Sequence, residues 1–125
     1  MSILTSEGEF EGEPAVAVLV LRSDQLSAVS FCVSDSDESP VGTIIRDRIE
    51  PKMQENSLLV LLPDVRSTSP AQLVQQIEVD GHKLPIVGGA ASGDPMGERM
   101  YQWCGKEVAE SSVAGTLLTG SFRTE

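Results

Sequence analysis

The chain has 125 residues, of which 40% are apolar and 22% are charged. Nine Lys and Arg stand against 19 Asp and Glu, so the net charge is −10, and a nucleic-acid or phospholipid partner would be repelled. No apolar run reaches the roughly 20 residues of a membrane helix, no secretory signal opens the chain, and two cysteines are too few for a disulfide framework. Composition therefore predicts one cytoplasmic domain, residues 1–125, that binds neither nucleic acid nor a membrane.

The first forty residues predict a loose leader followed by a β-hairpin. Residues 1–14 are polar and rich in Glu and Gly, which is typical of a flexible acidic leader. The apolar run at residues 15–21 predicts a strand that is covered on both faces. Apolar and polar residues alternate over residues 26–34, which predicts a half-buried strand antiparallel to the first. An acidic linker follows at residues 35–40.

The middle of the chain predicts two helices, each with a clear boundary signal. Residues 41–50 place valine and isoleucine at helical spacing, and Pro51 ends this helix because proline cannot continue the hydrogen-bond ladder. The second helix has Ser69 as its N-cap and Pro70 at its first position, and Gln72 completes a capping box. We expect it to end at Asp80-Gly81.

Strands surround the second helix and complete the chain. Residues 57–62 precede the helix, and residues 84–87 follow it as a short strand that either begins at Pro85 or is unpaired there. A glycine-rich loop leads to three further strands at residues 99–104, 107–110 and 113–122. Gly105-Lys106 forms the tight turn between the first two, and the glycines of the last, Gly115 and Gly120, indicate bulges or close approaches.

These elements predict an α/β fold, with α+β as the alternative. It has two main helices and a mixed β-sheet, in which one parallel strand–helix–strand unit is followed by an antiparallel meander. Strand, helix and strand in succession form a crossover between parallel strands. The strand at residues 57–62 and the strand at residues 84–87 therefore end at the same edge of the sheet, where ligands of open α/β sheets bind.

That edge is the predicted binding site. The second helix begins there, and its free N–H groups and positive dipole end favour an anion. Arg66 offers a fixed charge in the same loop. We predict a pocket for a carboxylate or phosphate that is formed by the polar and glycine residues of the two loops: Arg66, Ser67, Ser69, Gly88, Gly89 and Ser92.

Each of these features also has a purely structural interpretation. Paired glycines serve turns that need a positive φ, and an arginine in a loop is often a solvated surface charge. The loop is neither a phosphate-binding P-loop, because Asp94-Pro95 stands where Lys-Ser or Lys-Thr is required, nor a dinucleotide fingerprint. Tyr101 and Trp103 share one strand face, either as core residues or as the wall of a pocket near the glycine loop.

Catalytic and metal-binding patterns are weak, so we predict that the protein is not an enzyme. His82 is the only histidine, and the turn that contains it lies at the opposite edge of the sheet from the predicted pocket. No nucleophile-elbow motif is present. Cys32 and Cys104 have the pattern of packed thiols, and the acidic cluster at residues 35–38 lacks the rest of a calcium loop.

The ordered set of segments resembles the N-terminal FIST domain. SLLVLLPD, a capped helix, LPIVGGAAS, MYQWCGKEV and SSVAGTLLTGS follow one another as in that family. The likeness is clearest over residues 57–121 and weaker over residues 5–22. It implies a sensory, ligand-binding module of signal transduction, with no catalytic residue. It also implies that Gly88, Gly89 and Ala90 line the pocket, which we extend to Tyr101.

The resemblance further implies a small ligand such as an amino acid, and an output partner such as a histidine kinase or a cyclic-dinucleotide enzyme. Two alternatives stay open: a haem-binding gas sensor, with His82, Met96, Tyr101 or a cysteine as iron ligand, and a ligand-free scaffold or interaction protein. Family members usually carry strands before the segment that begins here at Thr5 and a further FIST domain after it. We therefore expect a fragment or trimmed relative, whose open sheet edge favours a homodimer.

Overall fold

A computed structural model describes residues 2–5, 8–11, 16, 18–34, 39–78, 83–90 and 99–122. Its strands are β1 (Ser2–Thr5), β2 (Gly8–Glu11), β3 (Leu26–Ser34), β4 (Ser57–Pro63), β5 (Ile86–Gly88), β6 (Tyr101–Cys104), β7 (Glu107–Glu110) and β8 (Ser112–Gly120). Its helices are α1 (Val41–Ile49), a short 3₁₀ turn (Glu50–Lys52) and α2 (Pro70–Ile77). The main sheet has four strands in the order β3–β8–β4–β5, and the α/β fold class is confirmed.

The parallel pair that the sequence predicts is formed by β4 and β5. Leu59 lies opposite Ile86, and Leu61 lies opposite Gly88, with α2 as the connection between the two strands. The carbonyl of Pro85 accepts a hydrogen bond from the Leu59 amide at 2.9 Å, so the proline contributes its acceptor to the ladder although it has no donor. The two strands therefore end together, as the location of the predicted site requires.

Both helices pack on one face of the main sheet, and the core lies between the helices and that face. Alternation along β4 directs every second side chain to that face. The buried side chains come from both helices and from all three long strands: Phe31, Val33, Val41, Ile45, Ile49, Leu59, Leu61, Leu73, Ile77, Val113 and Leu117. The periodicity that predicts α1 is the one that buries Val41, Ile45 and Ile49. Neither helix is long and apolar enough to cross a membrane within the residues that the structure describes.

Gly115 allows β3 and β8 to pack closely at the centre of the sheet. The pairing of the two strands is continuous from Leu26 opposite Gly120 to Ser34 opposite Ser112, so there is no bulge. A Cβ atom at Gly115 would lie 2.6 Å from Cζ of Phe31. Of the two predicted explanations for glycine in this strand, close approach is therefore the correct one.

The second face of the main sheet is covered only in part, by the hairpin of β6 and β7. Gly105 begins its turn with a φ of 63°, as predicted. β8 pairs antiparallel with β3 and β4 and not with β7, so the last three strands do not form one continuous ladder. A hydrogen bond of 3.0 Å from Ser112 Oγ to Gln102 Oε1 connects the hairpin to the sheet.

The described part of the predicted strand at residues 15–21, which is Val16 and residues 18–21, does not form a strand. Val16 and residues 18–21 have no regular structure, and their side chains are 62–88% exposed. The predicted hairpin partner, β3, pairs with β8 instead. β8 pairs with β3 over nine residues in a continuous ladder. An apolar run forms a strand only where it has both a sheet edge to pair with and a layer that covers its side chains.

Two smaller expectations also differ from the structure. Within the predicted leader, β1 and β2 pair as an antiparallel hairpin separate from the main sheet. The helix α2 ends at Ile77, because Glu78 leaves the helical region with a ψ of 127°; the predicted stop at Asp80-Gly81 lies outside the described residues. α1 ends just before Pro51, as predicted.

Candidate functional site

The carboxyl ends of β4 and β5 bring together the loop at residues 64–69 and the segment Gly88–Ala90. Gly88 packs directly against the backbone of Leu61, and a Cβ atom there would overlap the Leu61 carbonyl group. Gly89 follows with a hydrogen bond from its amide to that same carbonyl at 3.2 Å, yet no atom of the described residues lies within 4 Å of the place where its Cβ would be. The first glycine therefore has a structural role, and the second lies in open space.

Two cavities lie beside this segment. The smaller one, of about 210 Å³, lies on its helix side. Its walls come from the ends of β4 and β5 and from the first turns of α2: Leu61, Pro63, Pro70, Leu73, Val74, Ile86, Val87, Gly88, Gly89 and Ala90. These side chains are all apolar or absent, and Pro70 at the first helical position has no N–H to offer. The cavity at the helix N-terminus therefore suits an apolar group better than an anion.

A larger cavity of about 410 Å³ lies on the other side of the same segment, between the sheet and β6. Its walls are Leu62, Gly89, Ala90, Tyr101, Gln102, Trp103 and Ala114. The Tyr101 and Trp103 rings lie 6.5 Å apart with an angle of 40° between their planes. They are 43% and 67% exposed, so they form a cavity wall and are not core residues. Gly89 and Ala90 are common to both cavities.

Gln102 is the polar residue that the sequence analysis missed. It points opposite to its aromatic neighbours on β6 and is only 4% exposed. Its Oε1 accepts the hydrogen bond from Ser112, whereas its Nε2 is buried and has no partner among the residues that the structure describes. The signal in the sequence was the alternation of Tyr101, Gln102 and Trp103, but it gives no indication of which face lies inward.

A cation lies beside the aromatic wall of the larger cavity. The Arg99 guanidinium is 3.2 Å from the Glu110 carboxylate, and Arg99 lies two residues before Tyr101 in the chain. The Glu110 carboxylate, followed by Tyr101, raises the pKa of Arg99 above its ordinary value. Arg99 is therefore charged at every physiological pH and is held next to a residue that lines the cavity.

The comparison with protein families decides the identity of this fold. The model of the FIST N domain matches residues 2–125, which is nearly the whole chain. The chain belongs to the FIST family. FIST domains are sensory domains of signal transduction and not catalytic ones. No curated protein and no solved structure matches the chain.

The eight site residues predicted for this FIST domain fall into two groups. Gly88, Gly89 and Ala90 line the smaller cavity, and Gly89, Ala90 and Tyr101 line the larger one. The other described residues, Arg66, Ser67 and Ser69, are exposed and contribute to neither wall. Ser92 lies outside the described residues.

Asp64 organises the loop in which the predicted anion-binding residues lie. This carboxylate is 4% exposed and accepts the Arg66 amide at 2.9 Å, while its backbone carbonyl accepts the amides of Ser67 and Thr68. The amides of Arg66, Ser67 and Thr68 are thus already used within the FIST loop. Ser69 caps α2 without a side-chain hydrogen bond, so the predicted capping box does not form; its exposed hydroxyl can bond to water instead.

The described part of this FIST domain contains no cluster of three or more His, Cys, Asp or Glu side chains that could hold a metal ion. The predicted iron ligands His82 and Met96 lie outside the described residues. Cys32 and Cys104 are free thiols, and neither lines the larger cavity. Tyr101 is the one described side chain of that cavity that can ligate haem iron, and the nearby amide donor Gln102 cannot. The described lining therefore offers haem iron one candidate ligand, Tyr101.

Proposed function

We propose that this FIST domain is a non-enzymatic sensor of a small molecule that carries a carboxylate or carbonyl group, such as an amino acid. The ligand binds at the carboxyl edge of the sheet, against Gly89 and Ala90. The observation that carries the proposal is the larger cavity of about 410 Å³, whose wall combines apolar surface with a buried, unpartnered amide nitrogen. Apolar pockets with few polar groups are the usual form of a small-ligand site.

The charge around this cavity supports a ligand with a negative headgroup. Arg99 is held beside Tyr101, and no described lining residue of the larger cavity is acidic. The net charge of −10 would repel an anion at long range, but screening limits that effect to about 8–10 Å at physiological salt. Local contacts therefore decide the selectivity, and a carboxylate at the cavity rim remains partly hydrated beside the arginine.

Family membership supports an output role in signalling. We propose that the occupied domain acts on a signalling partner such as a histidine kinase or a cyclic-dinucleotide enzyme. The segment Gly89–Ala90 is the suitable transmitting element, because it contacts both the ligand cavity and the smaller cavity beside α2.

Chemical-shift mapping with a panel of amino acids and small carboxylates tests this function. We expect saturable changes at the amides of Gly89, Ala90 and Trp103, with weaker changes in β3 on the far side of the sheet. Arg99→Gln should weaken the binding of carboxylates, while Arg46→Gln serves as the matched control, because Arg46 is a partly exposed arginine on α1 that also pairs with a carboxylate. No saturable shift with any member of the panel, or shifts confined to surfaces away from Gly89 and Ala90, would contradict the proposal.

A second proposal concerns self-association, and it rests on a different part of the chain. The apolar segment (Val16 and residues 18–21) is exposed, and the free edge of β3 presents nine residues without a charge or a proline. Such an edge readily adds another strand. We propose that the apolar segment of one copy pairs with β3 of a second copy. Because both surfaces are uncharged, the net charge of the chain opposes this contact only weakly.

The molecular mass in solution tests the dimer. Sedimentation of the wild-type chain should give twice the chain mass of 13.4 kDa, and Leu19→Asp should reduce it to the single-chain value. Val65→Asp, which changes an exposed valine in the loop after β4, should leave the dimer intact. A monomer in the wild-type chain, or a dimer that survives Leu19→Asp, would disprove this pairing.

A further inference from the structure

A hydrogen bond from Ser112 orients the side-chain amide of Gln102. Ser112 is fully buried, and its hydroxyl donates to Gln102 Oε1 at 3.0 Å. The same hydroxyl oxygen accepts a hydrogen bond of 3.5 Å from the thiol of Cys32, which lies on the adjacent strand β3. The acceptor half of the Gln102 amide is therefore used within the protein, and the donor half, Nε2, is left without a partner.

An unpartnered donor at a residue that is only 4% exposed is unusual, because proteins pair nearly all of their buried polar groups. Removing such a group from water without a new hydrogen bond costs free energy. An acceptor that arrives from outside recovers that cost. Gln102 also lines the larger cavity, so an incoming molecule has a route to its side chain.

Contact with a ligand requires a rotation of the side-chain amide. Gln102 lines the cavity, but less than 1 Å² of its Nε2 is exposed. The last side-chain torsion of glutamine is broad and has no sharp staggered wells, so the amide can turn about it.

We propose that Gln102 is the residue that selects the ligand of this cavity, by donating a hydrogen bond to a carbonyl or carboxylate oxygen. The inference rests on the proposed sensor function and specifies the ligand class. The oxygen lies on a compact apolar or aromatic body, which packs against Leu62, Ala90 and the Trp103 ring. Hydrocarbons of the same shape lack the oxygen and bind without any contribution from Gln102.

Three compounds that share a phenyl ring with a two-carbon side chain separate these contributions: phenylacetate, phenylacetamide and ethylbenzene. Trp103 is the single tryptophan of the sequence and lines the cavity, so its fluorescence reports binding directly. We expect both oxygen compounds to bind the wild-type chain at least about fivefold more tightly than ethylbenzene, since a hydrogen bond of this kind is worth a factor of this order. The difference between the acid and the amide shows whether the acceptor is anionic or neutral.

Gln102→Met keeps the length of the side chain and removes the donor. Ser112 then retains the Ala109 carbonyl at 3.4 Å as an alternative acceptor, so the fold is expected to persist. In this variant, phenylacetate and phenylacetamide should lose about tenfold in affinity, and ethylbenzene should be unaffected. Gln75→Met, an exposed glutamine on α2, is the matched control and should change none of the three.

The outcomes separate the two proposals. If phenylacetate shifts Gly89 and Ala90 but Gln102→Met binds it as tightly as the wild-type chain, the role of Gln102 is wrong and the sensor function stands. If neither oxygen compound binds the wild-type chain at 10 mM, or both bind no better than ethylbenzene, the role of Gln102 is also wrong. The thermal transition of Gln102→Met, measured in parallel, identifies any loss that is due to unfolding.

Discussion

The two faces of the main sheet are built from the same strands and differ in almost every physical property. On the helix face, Leu59, Ile45 and Leu117 are completely buried and closely packed. On the hairpin face, Leu62 and Val87 are about half exposed, although no residue that β3, β4, β5 or β8 directs to that face carries a charge. The comparison indicates that one face supplies stability, while the other remains available for ligands and partners.

Leucine truncations at Leu59 and Leu62 on β4 test this difference most strongly. Leu59→Ala should lower the free energy of unfolding by about 2–5 kcal/mol, because it leaves a cavity in a core that cannot collapse fully. Leu62→Ala should cost less than about 1 kcal/mol, because that side chain is 48% exposed. Urea denaturation measures both. Equal losses would show that the hairpin face is as tightly buried in solution as the helix face.

The adjacent glycines of the binding segment provide a second comparison. Gly88→Ala should destabilise the fold by about 1–3 kcal/mol, because the new methyl group would overlap the Leu61 backbone, which the β4–β5 pairing holds in place. Gly89→Ala meets nothing within 4 Å and should change stability by less than about 0.5 kcal/mol. Thermal unfolding followed by circular dichroism compares the two. A stable Gly88→Ala protein would contradict the close approach at this edge.

The bond between the hairpin and the sheet should have an intermediate effect. Ser112→Ala removes the hydroxyl that bonds to Gln102 and leaves a further buried polar atom unpaired, which should cost about 1–3 kcal/mol. Ser30→Ala is the control, since its bond to Thr116 is exposed and its loss should be barely measurable. If both substitutions are neutral in urea denaturation, the hairpin is not fixed to the sheet through Gln102.

The smallest effect is expected at the rim of the hairpin. Glu110→Gln breaks an ion pair whose side chains are 44% and 73% exposed, and it should not shift the unfolding midpoint measurably. The raised pKa of Arg99 stabilises the fold wherever the arginine is charged, and this contribution is lost only in strongly alkaline solution. The difference in unfolding midpoint between Glu110→Gln and the wild-type chain should therefore stay constant between about pH 6 and pH 9. A difference that changes across this range would point to another titrating partner.

The sequence was sufficient for the elements whose pattern is local. The spacing of isoleucines predicts α1, and the succession of strand, helix and strand predicts the parallel alignment of β4 and β5, because few other connections are possible. The same geometry predicts a binding site at this edge, where the structure has two cavities at Gly89 and Ala90.

What the sequence could not provide depends on partners distant along the chain. The burial of Gln102 follows from Ser112, which lies on another strand, and strand alternation does not reveal which face is inward. Residues 15–21 have the composition of a strand, but whether a strand forms also depends on a layer that covers its side chains, and those of Val16 and residues 18–21 are exposed. Likewise, the loop donors near Arg66 are used by Asp64, a residue with no helical or strand pattern of its own.

Gly89 and Ala90 lie between the two cavities and line both of them. One side of this dipeptide faces a space bounded by aromatic rings, and the other faces a space bounded by the first turns of α2. A molecule that binds in the larger cavity and displaces Gly89 and Ala90 by a fraction of an ångström would narrow the smaller cavity. Such a displacement would change the wall of a cavity that Pro70, Leu73 and Val74 of α2 also line.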